Sequence, residues 1–88
     1  MKVEFKASFA RDLKRIKDKG LLRQAREVIE STESAQSLPE IPNLKKLRVE
    51  GHYFRIRIGD YRMGLTIEGD RITFVRFLHR SEVYRYFP

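Results

Sequence analysis

From Leu44 onward the chain has few ways to fold, because β-branched and aromatic segments alternate there with turn dipeptides. Leu44–Val49, Tyr53–Ile58, Tyr61–Glu68 and Arg71–Leu78 are separated by Glu50-Gly51, Gly59-Asp60 and Gly69-Asp70. Strands joined through such dipeptides form hairpins, since glycine adopts the left-handed backbone that a tight turn between twisted strands requires. This half therefore predicts an antiparallel meander.

The first half follows other periods. Val3, Phe5 and Ala7 alternate with Lys2, Glu4 and Lys6, which predicts a short, half-buried strand. Ser8 is expected to cap a helix carrying Phe9, Leu13 and Ile16 inward, with Gly20 as its stop after Lys17 and Lys19. A second helix places Leu22, Ala25, Val28 and Ile29 inside and Glu27, Glu30 and Glu33 outside. Residues 34–43, with Pro39 and Pro42, read as a loop. The expected fold is α+β, one domain over residues 1–88. An N-terminal strand and two-helix hairpin pack on one face of a mainly antiparallel sheet, whose other face is free to meet a ligand. Ser81–Pro88 is expected to dock as a short helix or extended segment.

Composition narrows the function. The formal charge is +7, which favours a polyanionic partner, nucleic acid before an acidic protein. No cysteine is present, which excludes disulfides, thiolate clusters and a thiol nucleophile, and two isolated histidines offer no metal cage. No metal or cofactor is expected. No apolar run approaches the roughly 18 residues of a spanning helix, so neither a signal peptide nor a membrane segment is read and a cytoplasmic location is expected. The charge is uneven, since residues 45–88 carry ten basic and five acidic residues and eight of the ten are arginine. A planar guanidinium grips phosphate with two donors and stacks on bases, so the functional surface is sought there.

Strand alternation in Tyr53–Ile58 sets Tyr53, Arg55 and Arg57 on one face and Phe54, Ile56 and Ile58 on the other. Arg55 and Arg57 then stand about 6.5–7 Å apart, close to the phosphate spacing of one nucleic-acid strand. Arg62 and Gly64 of the next strand fall on the same exposed face. An alternating Arg and Ile pattern is by itself commonly just a solvated strand face. Three guanidinium groups on neighbouring strands, however, repel one another unless an anion joins them. Arg71 reads as surface, and Arg76, which interrupts an apolar run, has no clear side. Beyond the last strand stand His79, a general acid or base near neutral pH, Arg80, able to stabilise charge, and Tyr84, able to stack on an unpaired base. A lone histidine at a strand end is more often a structural hydrogen bonder, and Tyr86 with Phe87 read as core or tail anchors.

These residues resemble the RelE/ParE superfamily of toxins from type II toxin-antitoxin pairs, in particular its RelE-like messenger-RNA interferases. The resemblance spans nearly the whole chain. It rests on the strand-helix-helix-sheet order, on Leu44-Lys45-Lys46-Leu47 leading to Tyr53-Phe54-Arg55-Ile56-Arg57-Ile58-Gly59-Asp60-Tyr61-Arg62, and on the ending His79-Arg80-Ser81-Glu82-Val83-Tyr84. It implies a ribosome-dependent endoribonuclease that cuts messenger RNA in the decoding site, without metal, by 2′-hydroxyl attack that leaves a cyclic phosphate. It also implies a cognate antitoxin that holds the enzyme inactive, and contacts to 16S ribosomal RNA. Carried over by motif, Arg55 and Arg57 stand where the family contacts phosphate and activates the hydroxyl, and Arg62 where it stabilises the transition state. Tyr84 stands where the family orients the base. His79 and Arg80 are looser matches for the leaving-group proton, and Lys45, Lys46 and Arg48 extend the RNA contacts. Two alternatives stay open: a ParE-like inhibitor of DNA gyrase, and a non-catalytic nucleic-acid-binding module.

Overall fold

A computed structural model describes all 88 residues, Met1–Pro88. The chain runs β1 (Lys2–Phe5), α1 (Ala7–Arg15), α2 (Lys19–Ser34), a 3₁₀ turn (Leu38–Glu40), β2 (Leu44–Lys46), β3 (Tyr53–Ile58), β4 (Tyr61–Glu68), β5 (Arg71–His79) and α3 (Val83–Tyr86). The strands form one sheet in the order β1-β5-β4-β3-β2. Strands β2 to β5 make the expected antiparallel meander. Strand β1 joins β5 in parallel, with Val3 opposite Ile72 and Phe5 opposite Phe74. Such a pair is open to strands separated by a long crossover rather than a tight turn. The α+β expectation, the two-helix hairpin on one face of a mainly antiparallel sheet, holds for α1 and α2. At Gly59 and Gly69 φ is +56° and +61°, so backbone conformation favours glycine in both hairpin turns.

One face of the sheet buries Ile56, Ile58, Met63, Leu65, Ile67, Ile72, Phe74 and Phe77 beneath the helices. Phe9 of α1 is fully buried at the centre, with the rings of Phe5, Phe74 and Phe77 at 5.8, 5.3 and 6.2 Å. Each fully buried side chain among these contributes about 1.5–3 kcal/mol by leaving water, which drives the helices onto this face.

Several local expectations are corrected. Ser8 is not the cap of α1. It lies inside the helix, and its hydroxyl donates to the Val75 carbonyl of β5. The reason lies in the sheet edge. Strand β1 ends at Phe5 whereas β5 runs on to His79, so the far half of β5 lacks a strand neighbour on that side. One turn after Ser8 on the same helix face, Asp12 accepts the Phe77 N–H at 2.9 Å. A carbonyl and an amide of the open edge are thus satisfied by α1 side chains. Gly20 does not stop α1, which ends at Arg15. Asp18 instead caps α2 by accepting from the Gly20 and Leu21 amides at 2.9 and 3.1 Å, and Gly20 belongs to the first turn of α2. Strand β2 stops at Lys46 rather than Val49. Leu47 still donates to the Tyr53 carbonyl, and the chain then bends through residues 48–52.

The second sheet face is not wholly free either. Helix α3 and Phe87 fold onto it, and Phe87 is only 2% exposed. Gly64, expected in solvent beside Arg62, is buried beneath that ring, where an added Cβ would lie 2.7 Å from two ring carbons.

Candidate functional site

Register decides which basic residues share the uncovered part of this face. Arg57 lies directly opposite Arg62, Arg55 opposite Gly64, and Lys45 opposite Arg55. Directly opposed side chains in an antiparallel pair have Cβ atoms roughly 4.5–5.5 Å apart. Arg57 and Arg62 therefore form a like-charge pair, and Lys45 extends the row across β2.

Each cation is held differently. Arg62 turns back over the β3–β4 turn and donates through Nη1 to the Gly59 and Tyr61 carbonyls, both at 2.9 Å. Arg55 donates to the Asn43 carbonyl at 3.0 Å, where the chain enters β2 through a left-handed residue with φ +62°. Arg57 is exposed and has neither a side-chain hydrogen bond nor a carboxylate partner. Arg80 stands just past β5, anchored by its amide to the Asp60 carbonyl at 2.7 Å and loosely paired with the Asp60 carboxylate at 3.8 Å. Tyr84 projects from α3 and is 57% exposed.

The electrostatics tie these groups together at Arg62. Its guanidinium is held below its ordinary pKa, first by burial and then by the charges of Arg55, Arg57 and Arg80, while the Tyr84 phenol acts in the opposite sense. Five of the six residues singled out for chemistry in the sequence, Arg55, Arg57, Arg62, Arg80 and Tyr84, thus share one field. A surface that crowds cations so closely gains when an anion enters it.

His79 is the sixth, and it lies elsewhere. It pairs with Tyr61 on the helix side of the sheet, its ring nearly perpendicular to the Tyr61 ring at 5.5 Å, in a hollow shared with Asp12, Arg15 and Ile16. Its Nδ1 accepts the Ser81 amide at 3.1 Å and lies 2.8 Å from the Ser81 hydroxyl, so it shapes the turn into α3. The proposed RNA contacts divide in the same way. Lys45 is on the arginine face, whereas Lys46, opposite Phe54, belongs to the helix side, and Arg48 lies in the bend after β2.

Arg76 finds its side through a partner that periodicity did not show. Its Nε and Nη2 donate to the Asp12 carboxylate at 2.8 and 3.1 Å, and the Asp12 side chain is 3% exposed. The hydrogen bond to Asp12 holds the Arg76 pKa above its ordinary value. The guanidinium also lies 5.4 Å from the centre of the Tyr86 ring. Arg76 is therefore occupied structurally. A β-bulge between Gly64 and Leu65 explains why alternation failed there, since it shifts the register on β5 so that Phe74 and Phe77 both face inward. No group of three His, Cys, Asp or Glu side chains is arranged to hold a metal ion, and no helix is long and apolar enough to cross a membrane.

Residues 3–84 match the family described as the ParE toxin of type II toxin-antitoxin system, parDE. The chain belongs to the RelE/ParE superfamily of type II toxins. A relative, Toxin RelE3 of Methanocaldococcus jannaschii, is 38% identical over 89 residues that span 100% of both chains. The fold superposes on the RelB-RelE antitoxin-toxin complex from Methanococcus jannaschii with a TM-score of 0.81 and 35% identity, covering 97% of this chain and 99% of the other. It also matches the RelBE2 toxin-antitoxin complex from Mycobacterium tuberculosis, with a TM-score of 0.72, 27% identity and coverage of 90% and 96%.

Proposed function

We propose that this RelE-family toxin is a cytoplasmic, ribosome-dependent endoribonuclease that cleaves messenger RNA in the decoding site of the ribosome. The observation that carries the reading is the convergence of Arg55, Arg57 and Arg62 on the uncovered part of one sheet face, with Arg80 and Tyr84 at its edge. In the proposed reaction the RNA 2′-hydroxyl gives up its proton to solvent as its oxygen attacks the adjacent phosphorus, the bond to the 5′-oxygen breaks, and that oxygen takes a proton from solvent, leaving a 2′,3′-cyclic phosphate and a 5′-hydroxyl. Negative charge builds on the phosphoryl oxygens, and fixed cations there lower the barrier without a metal ion. Removing one such contact typically costs about a hundred- to a thousandfold in rate. Arg62, pinned by two carbonyls, is assigned to that charge. Arg55 and Arg57 hold the backbone phosphates, with Lys45 beside them, and Tyr84 stacks on a base. His79 faces away, so the site works by charge and placement, and the ribosome supplies the substrate geometry.

The relatives crystallised as toxin-antitoxin complexes support a cognate antitoxin for this chain, and the basic surface suits an acidic antitoxin segment that orders as it binds. Expression without antitoxin is expected to stop translation and to leave cut transcripts, and Arg62→Ala is expected to relieve both. Intact transcripts in arrested cells would remove the nuclease reading. Gyrase inhibition stays as the second reading, because the resemblance to ParE implies it and the matched family is described as the ParE toxin. Purified toxin that blocks gyrase supercoiling while translation proceeds normally would establish it instead.

A further inference from the structure

Glycine inside a strand weakens it unless something needs the space, and the Phe87 ring occupies the space over Gly64. With a Cβ at residue 64, three carbons of that ring would lie within 2.7–2.9 Å, closer than real contacts allow. The Phe87 ring stands perpendicular to that of Tyr53 of β3, with 5.7 Å between centres. One residue earlier, Tyr86 lies over the Arg76 guanidinium, itself fixed by Asp12. At the other end of α3, Val83 is fully buried, and the Phe87 amide closes the turn onto the Val83 carbonyl at 2.8 Å. The four-residue helix is thus held at Val83, Tyr86 and Phe87, whereas Tyr84 between them is exposed. One helical turn has no independent stability. The position of Tyr84 therefore depends on these anchors.

We propose that Phe87, seated on Gly64, is a positioning residue that fixes Tyr84 beside Arg62 and so sets the efficiency of RNA cleavage without touching RNA. This inference rests on the ribonuclease reading for its consequence and on the sheet contact for its cause, and the two are separable by experiment.

The placement is read on the purified full chain by NMR of ring-labelled tyrosine, with the Tyr84 signal assigned through Tyr84→Phe. In Phe87→Ala the Tyr84 signal is expected to move to the position of a free tyrosine, and trypsin is expected to cut after Arg85 at least tenfold faster, while the antiparallel sheet signal of the remaining fold persists. Phe87→Leu, which still fills the seat, is expected to keep both near wild type. The consequence is read as single-turnover cleavage of messenger RNA on programmed ribosomes. Base stacking on an aromatic side chain is worth about five- to 150-fold, so Tyr84→Ala and Phe87→Ala are each expected to slow cleavage by about tenfold or more. The double variant is expected to be no slower than Tyr84→Ala alone, because Phe87 acts through Tyr84. A general structural weakening would instead multiply the two losses. An unmoved Tyr84 signal in Phe87→Ala, multiplied losses, or full cleavage with a released tail would each overturn the proposal. Absence of cleavage by the wild-type chain would remove the ribonuclease reading, and the Tyr84 signal would still decide whether Phe87 places the ring.

Discussion

Replacing Asp12 by alanine tests how the open edge of β5 is sealed. The carboxylate accepts three hydrogen bonds, two from Arg76 at 2.8 and 3.1 Å and one from the Phe77 amide at 2.9 Å. Its loss leaves a buried Phe77 N–H without a partner, which costs about 1–3 kcal/mol. It also strands the Arg76 guanidinium. Breaking a buried ion pair costs about 3–5 kcal/mol, but the Arg76 side chain is 22% exposed and water recovers part of that. The expected loss for Asp12→Ala is therefore about 3–4 kcal/mol, weighed against a total stability of roughly 4–13 kcal/mol for a domain of this size. In a small domain each kcal/mol lowers the melting midpoint by about 4–8 °C, so a fall of about 12–30 °C is expected. Asp12→Asn keeps an acceptor for the Phe77 amide and should lose about 1–2 kcal/mol less. Urea unfolding followed by circular dichroism measures both. A loss below about 1 kcal/mol for Asp12→Ala, or equal damage from the two substitutions, would refute the edge-sealing role.

Other outcomes follow from the same geometry. Lys45→Ala is expected to weaken binding to single-stranded RNA and Lys46→Ala to leave it nearly unchanged, because register puts them on opposite faces; filter binding compares them directly. The salt dependence of that binding should flatten by about 0.7 in the log-log slope for each phosphate-contacting cation removed, at Arg55 or Arg57 for example. His79→Gln is expected to retain cleavage of ribosome-bound messenger RNA within a few-fold, and a loss comparable to that of Arg62→Ala would return His79 to the chemistry. Gly64→Val drives a branched side chain into the Phe87 ring and is expected to release α3, seen as faster trypsin cutting after Arg85 while the antiparallel sheet signal persists.

The turn dipeptides and strand alternation were legible because their causes are local. Gly59 and Gly69 occupy left-handed turns, and Arg55, Arg57 and Arg62 share a face because a pleated strand alternates. The pairing of the fourth and fifth strands was harder to read, since a bulge breaks the period between Phe74 and Phe77 and no local signal announced it. Residues far apart in the chain decided the rest. Ser8 looks like a helix cap until β5 outruns β1 and needs its hydroxyl, and Asp12, which no sequence pattern singled out, supplies the acceptor the same edge needs.

By itself, then, the sequence determined the meander, the helical pair and a crowded arginine face, all of which follow from side-chain period and backbone freedom. Tertiary structure alone decided that Arg76 is spent on Asp12, that His79 turns to the helix side, and that Gly64 serves as the floor for Phe87. Those outcomes depend on which groups the packed chain leaves unsatisfied or unfilled. A buried amide without an acceptor and a hollow over a glycine exist only once the strands and helices have met.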